Sequence, residues 1–385
     1  MAHILEFKIT GLLGRKKAYH QVLNRDTNIF FGTNGSGKTS LLKILHAALN
    51  RETESLQNIV FKSAEVKIFS VKFNRIFTHK LEKSFHKELL ADFFSEEQEE
   101  TTTSIPNRNE WQVTPQTIDG KVIKSAWQHR FLSTTRLYVA QNSDERSTRR
   151  TSASLSEDDL DTFFNDSIQR VWSSTFADVL STIKNAQEEG LQLVLREVLE
   201  DKDRDTLKSS VPPDVAFKRL RSFLDKQQGK DNRKLLGSEV KFTERYEKNA
   251  MLRNVANHIN KVETDIDVAI QPITKLRETL ASMLSGGKEI KFLGREIVAH
   301  TESGTPISLG HLSSGEKHLI RILLDSLEAD GNTIIIDEPE LSMHIDWQRK
   351  LIAAISEINP NCQLIIATHS PEIMADVDDE KIFVL

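Results

Sequence analysis

The chain has 385 residues, enough to bury a sizeable core as one large domain with an insertion or as two domains. Charged residues make up 28% and the net charge is −5, which suits a soluble protein and gives no global pull toward nucleic acid, although a local basic face stays open. The single cysteine, Cys362, excludes an internal disulfide, and the sequence has neither a basic-then-apolar leader nor an apolar run near the ~20 residues of a spanning helix, so a cytoplasmic setting with no membrane is expected.

In chain order, residues 3–9 largely alternate between apolar and polar, as a half-buried strand does, and residues 17–23 fit a second strand after the turn glycines Gly11 and Gly14. Residues 28–31 are an apolar run suited to a buried strand. Gly32, Thr33, Asn34, Gly35, Ser36, Gly37, Lys38, Thr39 and Ser40 follow, and then residues 41–49 with helical apolar spacing. Strand, glycine loop and helix in this order form the context a P-loop requires. Its glycines let backbone N–H groups turn toward phosphate oxygens, Lys38 reaches the β- and γ-phosphates, and Thr39 holds Mg²⁺.

A strand pair is expected near 65–73 and 75–81, and a short helix over 84–94 with Ser84 as its cap. Residues 95–109 are acidic, polar and aperiodic, and read as a loop. Asp119-Gly120 signals a hairpin between 111–113 and 121–123. Residues 136–140 read as a core strand followed by Gln141. Arg146, Arg149 and Arg150 come next, facing a phosphate backbone, a partner or only water.

Residues 154–285 are largely helical. Ser156 with Asp159 suits a capping box, and an apolar stripe runs from Leu160 through Phe164, Ile168 and Trp172 to Ile183. Gly190 is expected to break that helix, Pro212-Pro213-Asp214 to start another, and Pro272 to kink or restart the last one. Without sustained heptads or a C-x-x-C hook, this segment is a compact helical lobe rather than a long coiled coil. Short strands near 289–293, 296–301 and 307–309 lead to Leu312-Ser313-Ser314-Gly315-Glu316, which opens an amphipathic helix whose start can hold an anion. Residues 333–338 form an apolar strand ending in Asp337 and Glu338. A buried strand has no need of two acids at its tip, whereas Mg²⁺ and an attacking water do. A last buried strand, 364–368, delivers His369 and Ser370.

Together these stretches resemble an ABC-type ATPase: Walker A at 32–39, a signature at 312–316 reading L-S-S-G-E, Walker B at 333–338 and a switch histidine at His369. The runs D-E-P-E-L-S-M-H-I-D-W-Q (337–348) and A-T-H-S-P-E-I (367–373) are similar to the soluble branch that includes RecF, the SMC proteins, the OLD family and the PtuA ATPases of Septu and retron systems. The resemblance implies an α/β P-loop NTPase fold, with an ABC-type head of mixed sheet plus antiparallel β-subdomain and an inserted helical lobe. The corresponding segments are 1–150 and 287–385 for the head and 151–286 for the lobe.

It also implies ATP and Mg²⁺ as cofactors, with Thr39, Asp337 and Gln141 at the metal, Glu338 activating water, and His369 on the γ-phosphate. Arg15, Lys16 and Tyr19 occupy the region that lies against adenine, or they are a solvated edge. Family members sandwich two ATPs head to tail, so that Ser313, Ser314 and Gly315 close on the nucleotide of a second subunit. A homodimer or higher even oligomer follows, with His344, Asp346 and Trp347 near the seam. With no nuclease pattern in the sequence, an effector acting in trans, a nuclease or toxin in anti-phage defence, is the leading expectation. The alternative is a RecF-like DNA repair ATPase that clamps nucleic acid through basic residues such as Arg219, Arg221, Lys230 and Arg233. A transporter subunit fits the long insertion poorly.

Overall fold

In the computed structural model the described residues are 2–83, 110–115, 117–118, 121–122, 127–133, 156–199, 211–226, 236–284 and 287–385. Two compact units emerge, one of Met1–Val171, Leu276–Phe292 and Ile297–Leu385, the other of Trp172–Lys275 and Leu293–Glu296.

The first unit begins with β1 (Ala2–Thr10), β2 (Tyr19–Val22) and β3 (Thr27–Phe31), followed by the helix α1 (Lys38–Asn50). Next come β4 (Ser63–Ser70), β5 (Arg75–Glu82) and β6 (Gln112–Thr114), then the small pair β7 (Thr117–Ile118) and β8 (Lys121–Val122), and β9 (His129–Leu132). Strands β2-β1-β4-β5-β6 make an antiparallel sheet, whose alternating burial in β4 is that of a sheet with one face on the core. The expected hairpin is corrected in its first strand: β8 pairs with β7 at 117–118, next to the turn, while residues 112–114 join β5 instead, and Asp119 and Gly120 themselves lie outside the described residues. So do the helix expected over 84–94, the acidic loop, the strand expected over 136–140, Gln141, Arg146, Arg149, Arg150, Lys230 and Arg233. Within the described residues it is β9 that flanks the strand ending in Asp337.

After the helices, β10 (Lys288–Leu293), β11 (Glu296–Thr301) and β12 (Pro306–Ile307) form a small sheet. A second large sheet, all parallel, is completed by β13 (Thr333–Asp337), β14 (Gln363–Thr368) and β15 (Ile382–Val384), in the order β15-β3-β14-β13-β9. Every residue of β13 and β14 is buried, which is why both read as unbroken apolar runs: a parallel sheet is covered on both faces. One apolar core unites Phe7, Val66 and Phe77 of the antiparallel sheet, Leu41, Leu45 and Leu49 of α1, and Ile335 and Ile365 of the parallel sheet.

The helices are α2 (Glu157–Leu199), α3 (Pro213–Lys226), α4 (Glu239–Lys248) and α5 (Ala250–Met283), with α6 (Ser314–Glu328) and α7 (Ile345–Ile358) near the end of the chain. One expectation is corrected here and another narrowed. α2 runs through Gly190 without a break, because the glycine answers a packing demand: a Cβ there would sit 2.1 Å from Val262 Cγ2 of α5. Of the two outcomes expected at Pro272, a restart is excluded: α5 continues through it as one helix, Ala250–Met283. The second unit has its own core, in which Phe217 and Leu220 of α3 meet Phe242 and Tyr246 of α4 and Ala256 and Ile259 of α5.

Candidate functional site

Strand register gathers the site. Phe31 pairs with Thr368, and Asp337 with Ala367, so β3, β13 and β14 end side by side. The residues that follow them, Gly32, Glu338 and His369, therefore emerge at one edge. Carboxyl ends of parallel strands are where open α/β sheets hold ligands, since the loops diverge there and helix N-termini point inward.

The loop from Gly32 to Gly37 turns through positive φ at Gly35 and Gly37, 82° and 101°. Arg15 pins it from outside, donating from Nη2 to the Ser36 carbonyl at 2.9 Å. Lys38 is buried, with Nζ donating to the carbonyls of Gly32 (2.8 Å) and Thr33 (3.2 Å) and lying 3.3 Å from Glu338 Oε1. Thr39 Oγ1 donates to Asp337 Oδ1 at 3.1 Å. Burial pushes the Asp337 carboxyl up to about 6, with the Glu338 charge adding to the rise and Thr39, Lys43 and Lys38 opposing it. A buried carboxylate held this way is short of positive charge, and its partner is a hydroxyl. Two hard oxygen donors at the mouth of a phosphate-shaped loop fit Mg²⁺.

Glu338 has φ 52°, a left-handed conformation that a non-glycine residue adopts only under constraint. The constraint is visible: its backbone N–H donates to the Ala367 carbonyl at 2.8 Å, while Oε2 takes a short contact from His369 Nδ1. Lys38, Thr39, Asp337, Glu338 and His369 are thus brought together from three separate parts of the chain.

Ser313, Ser314 and Gly315 are placed beside a different segment. Ser313 caps α6 in a full capping box: its Oγ accepts from Glu316 N at 3.3 Å and its N–H donates to Glu316 Oε2 at 2.7 Å. Lys288 donates to the same carboxylate at 2.8 Å; burial works against the charge, but Lys288 and Ser313 together hold Glu316 below the usual range. Gly315 is dictated by packing, since a Cβ there would lie 2.3 Å from the Ser342 carbonyl oxygen. Trp347 covers it, donating from Nε1 to the Met283 carbonyl at 2.8 Å, and with Ser313, Ser342 and His344 these residues line an open cleft. Of the residues weighed for adenine, Tyr19 packs on Phe7 with ring centroids 5.6 Å apart, Arg15 holds the P-loop and Lys16 is exposed.

The sequence reading gave no role to Glu340. It lies buried beside His369, and its only signal was a third acid within four residues of a buried strand end.

With this geometry, residues 28–375 match the family described as "AAA domain, putative AbiEii toxin, Type IV TA system". The chain belongs to this family. Curated relatives include the retron Vc95 probable ATPase of Vibrio cholerae serotype O1 biovar El Tor, 26% identical over 170 residues, which are 40% of this chain and 31% of that protein. Another is the Septu protein PtuA of Bacillus thuringiensis, 36% identical over 94 residues, covering 20% of this chain and 24% of PtuA. The matches therefore span a third or less of these relatives. Among solved structures, an Smc head domain from Pyrococcus furiosus, with an extended coiled coil and bound to the C-terminal domain of ScpA, is similar at a TM-score of 0.45 and 14% identity, over 100% of this chain and 93% of that one. Among the described residues no helix is long and apolar enough to cross a membrane.

Proposed function

We propose that this AAA domain binds and hydrolyses ATP, pairs head to tail with a second copy around two nucleotides, and acts as the ATP-gated sensor or scaffold for an effector protein in anti-phage defence. The observation that carries the reading is the convergence of Lys38, Thr39, Asp337, Glu338 and His369 at one sheet edge. The retron and Septu relatives supply the defence setting, and the effector is a nuclease or toxin acting in trans.

The chain's own groups divide the work. Lys38 exchanges the Gly32 and Thr33 carbonyls for phosphate oxygens. Thr39 and Asp337 would hold Mg²⁺, which would offset phosphate charge when bound. Once Lys38 turns to phosphate, Glu338 is released to orient and polarise the attacking water. His369 meets the γ-phosphate. Ser313, Ser314 and Gly315 form half of an anion site that closes on the nucleotide of the other copy, so closure requires bound ATP.

The test is native mass spectrometry of Glu338→Gln protein with Mg·ATP, purified from its host. A closed dimer retaining two ATPs, together with a stoichiometric second protein, is the expected result. A monomer at saturating Mg·ATP sinks the sandwich, and a bare dimer carrying salt-sensitive nucleic acid sinks the effector reading in favour of a DNA clamp.

A further inference from the structure

Glu340 is a buried carboxylate with an uneven load. A single oxygen, Oε1, accepts from Thr368 Oγ1 at 2.6 Å, from the backbone N–H of His369 at 2.9 Å and from that of Ser370 at 3.1 Å, and it lies 3.1 Å from His369 Nδ1. Its other oxygen is buried and meets no donor among the described residues. Burying a carboxylate is costly unless donors serve it, and here three consecutive residues of one strand end do so. Ser370 tightens the same turn, with its N–H donating to Thr368 Oγ1 at 2.9 Å and its Oγ to Gln348 Oε1 at 2.7 Å. The backbone of His369 is therefore fixed on both sides, and the anchor is Glu340.

The ring is gripped as well. Nδ1 faces two carboxylates, Oε2 of Glu338 and Oε1 of Glu340, and neither can donate when ionised. Nδ1 must then carry the proton, which leaves Nε2 as the ring nitrogen not engaged by these acids. Glu338 alone could give this tautomer, but it would then be tied to the imidazole at the moment it is needed at the water.

We infer that Glu340 is the positioning residue of the switch histidine: it keeps the His369 imidazole in place, with Nδ1 protonated, when Glu338 leaves the ring to engage water. The inference rests on the ATPase reading above, and it makes Glu340 a group that acts through His369 rather than on the nucleotide.

The test is a double-mutant cycle in steady-state ATP hydrolysis by the full chain. Glu340→Gln keeps volume and an acceptor but removes the charge. It is expected to lower kcat by about tenfold or more, the scale seen when an outer partner of a functional histidine is lost, with KM for ATP within about twofold. Combined with His369→Ala it should add nothing to the loss caused by His369→Ala alone. Thr368→Val, which removes one donor and leaves the carboxylate, should act in the same direction and serves if Glu340→Gln does not fold.

Long-range ¹H–¹⁵N spectra of the His369 ring give a readout that needs no turnover: Nδ1–H in the native protein, a tautomer mixture in Glu340→Gln. Multiplicative losses in the cycle, a rise in KM at unchanged kcat, or an unchanged ring spectrum overturn the role of Glu340 while leaving the ATPase reading standing. A native protein that does not hydrolyse Mg·ATP overturns both.

Discussion

Gly315 shows how one atom fixes a motif. The approach of 2.3 Å between its would-be Cβ and the Ser342 carbonyl oxygen leaves no space for alanine, and Ser342, at φ 59°, has little freedom to retreat. Gly315→Ala is expected to cost about 1–3 kcal/mol, as overpacking does, and to lower the melting midpoint measurably by calorimetry. A midpoint unchanged within error would show that the Ser342 turn yields.

Buried histidines make a second prediction at this scale. His79 is fully buried, donating from Nδ1 to the Ala48 carbonyl at 2.7 Å, and burial lowers it to about 4, with Arg51 adding to the fall. Its ordinary value is 6.5, so between pH 6.5 and 4 the unfolded chain binds the proton and the folded chain does not. Stability therefore falls as pH drops through that window, by about 3 kcal/mol from this residue alone. Urea unfolding at stepwise pH should reveal the slope, and His79→Gln should flatten it; an equal slope in the variant assigns the effect elsewhere.

At the scale of elements, hydrogen-bond direction orders the back of the P-loop helix. His129 Nδ1 donates to the Trp127 carbonyl at 2.9 Å, so its Nε2 must accept from His46 Nδ1 at 2.7 Å. This chain ties α1, which carries Lys38 and Thr39 at its start, to β9 beside the Asp337 strand. The capped helix α6 offers the third prediction. Ser313→Ala removes the cap and half of its box, and is expected to cost about 1 kcal/mol of stability. Under the sandwich reading it also abolishes ATP-dependent dimerisation by light scattering, whereas a variant that still dimerises with ATP would reduce Ser313 to a cap.

For the whole molecule, ligand linkage tests the site without assuming turnover. Mg·ATP at about a hundred times its Kd stabilises the native state by about 2.7 kcal/mol. A clear rise in melting midpoint is expected, and Lys38→Ala should remove it. A shift retained in Lys38→Ala would mean that the nucleotide binds elsewhere.

The sequence by itself determined the parts whose chemistry is contiguous. A phosphate loop needs its glycines, lysine and threonine at fixed spacing between a strand and a helix. A strand tip with two acids, a capped helix start and a strand delivering His369 are equally local, and all were legible. The long apolar runs announced β13 and β14 because a sheet buried on both faces tolerates nothing else. Tertiary structure alone decided what depends on register between distant strands: that Lys38, Glu338 and His369 meet, that Glu340 anchors the histidine, and that Gly315 stands against Ser342. The same holds for Gly190, which local propensity reads as a break and which packing against Val262 turns into a requirement for an unbroken helix. The reason is that propensity acts over neighbours in sequence, whereas a close approach is set by whatever the fold brings opposite.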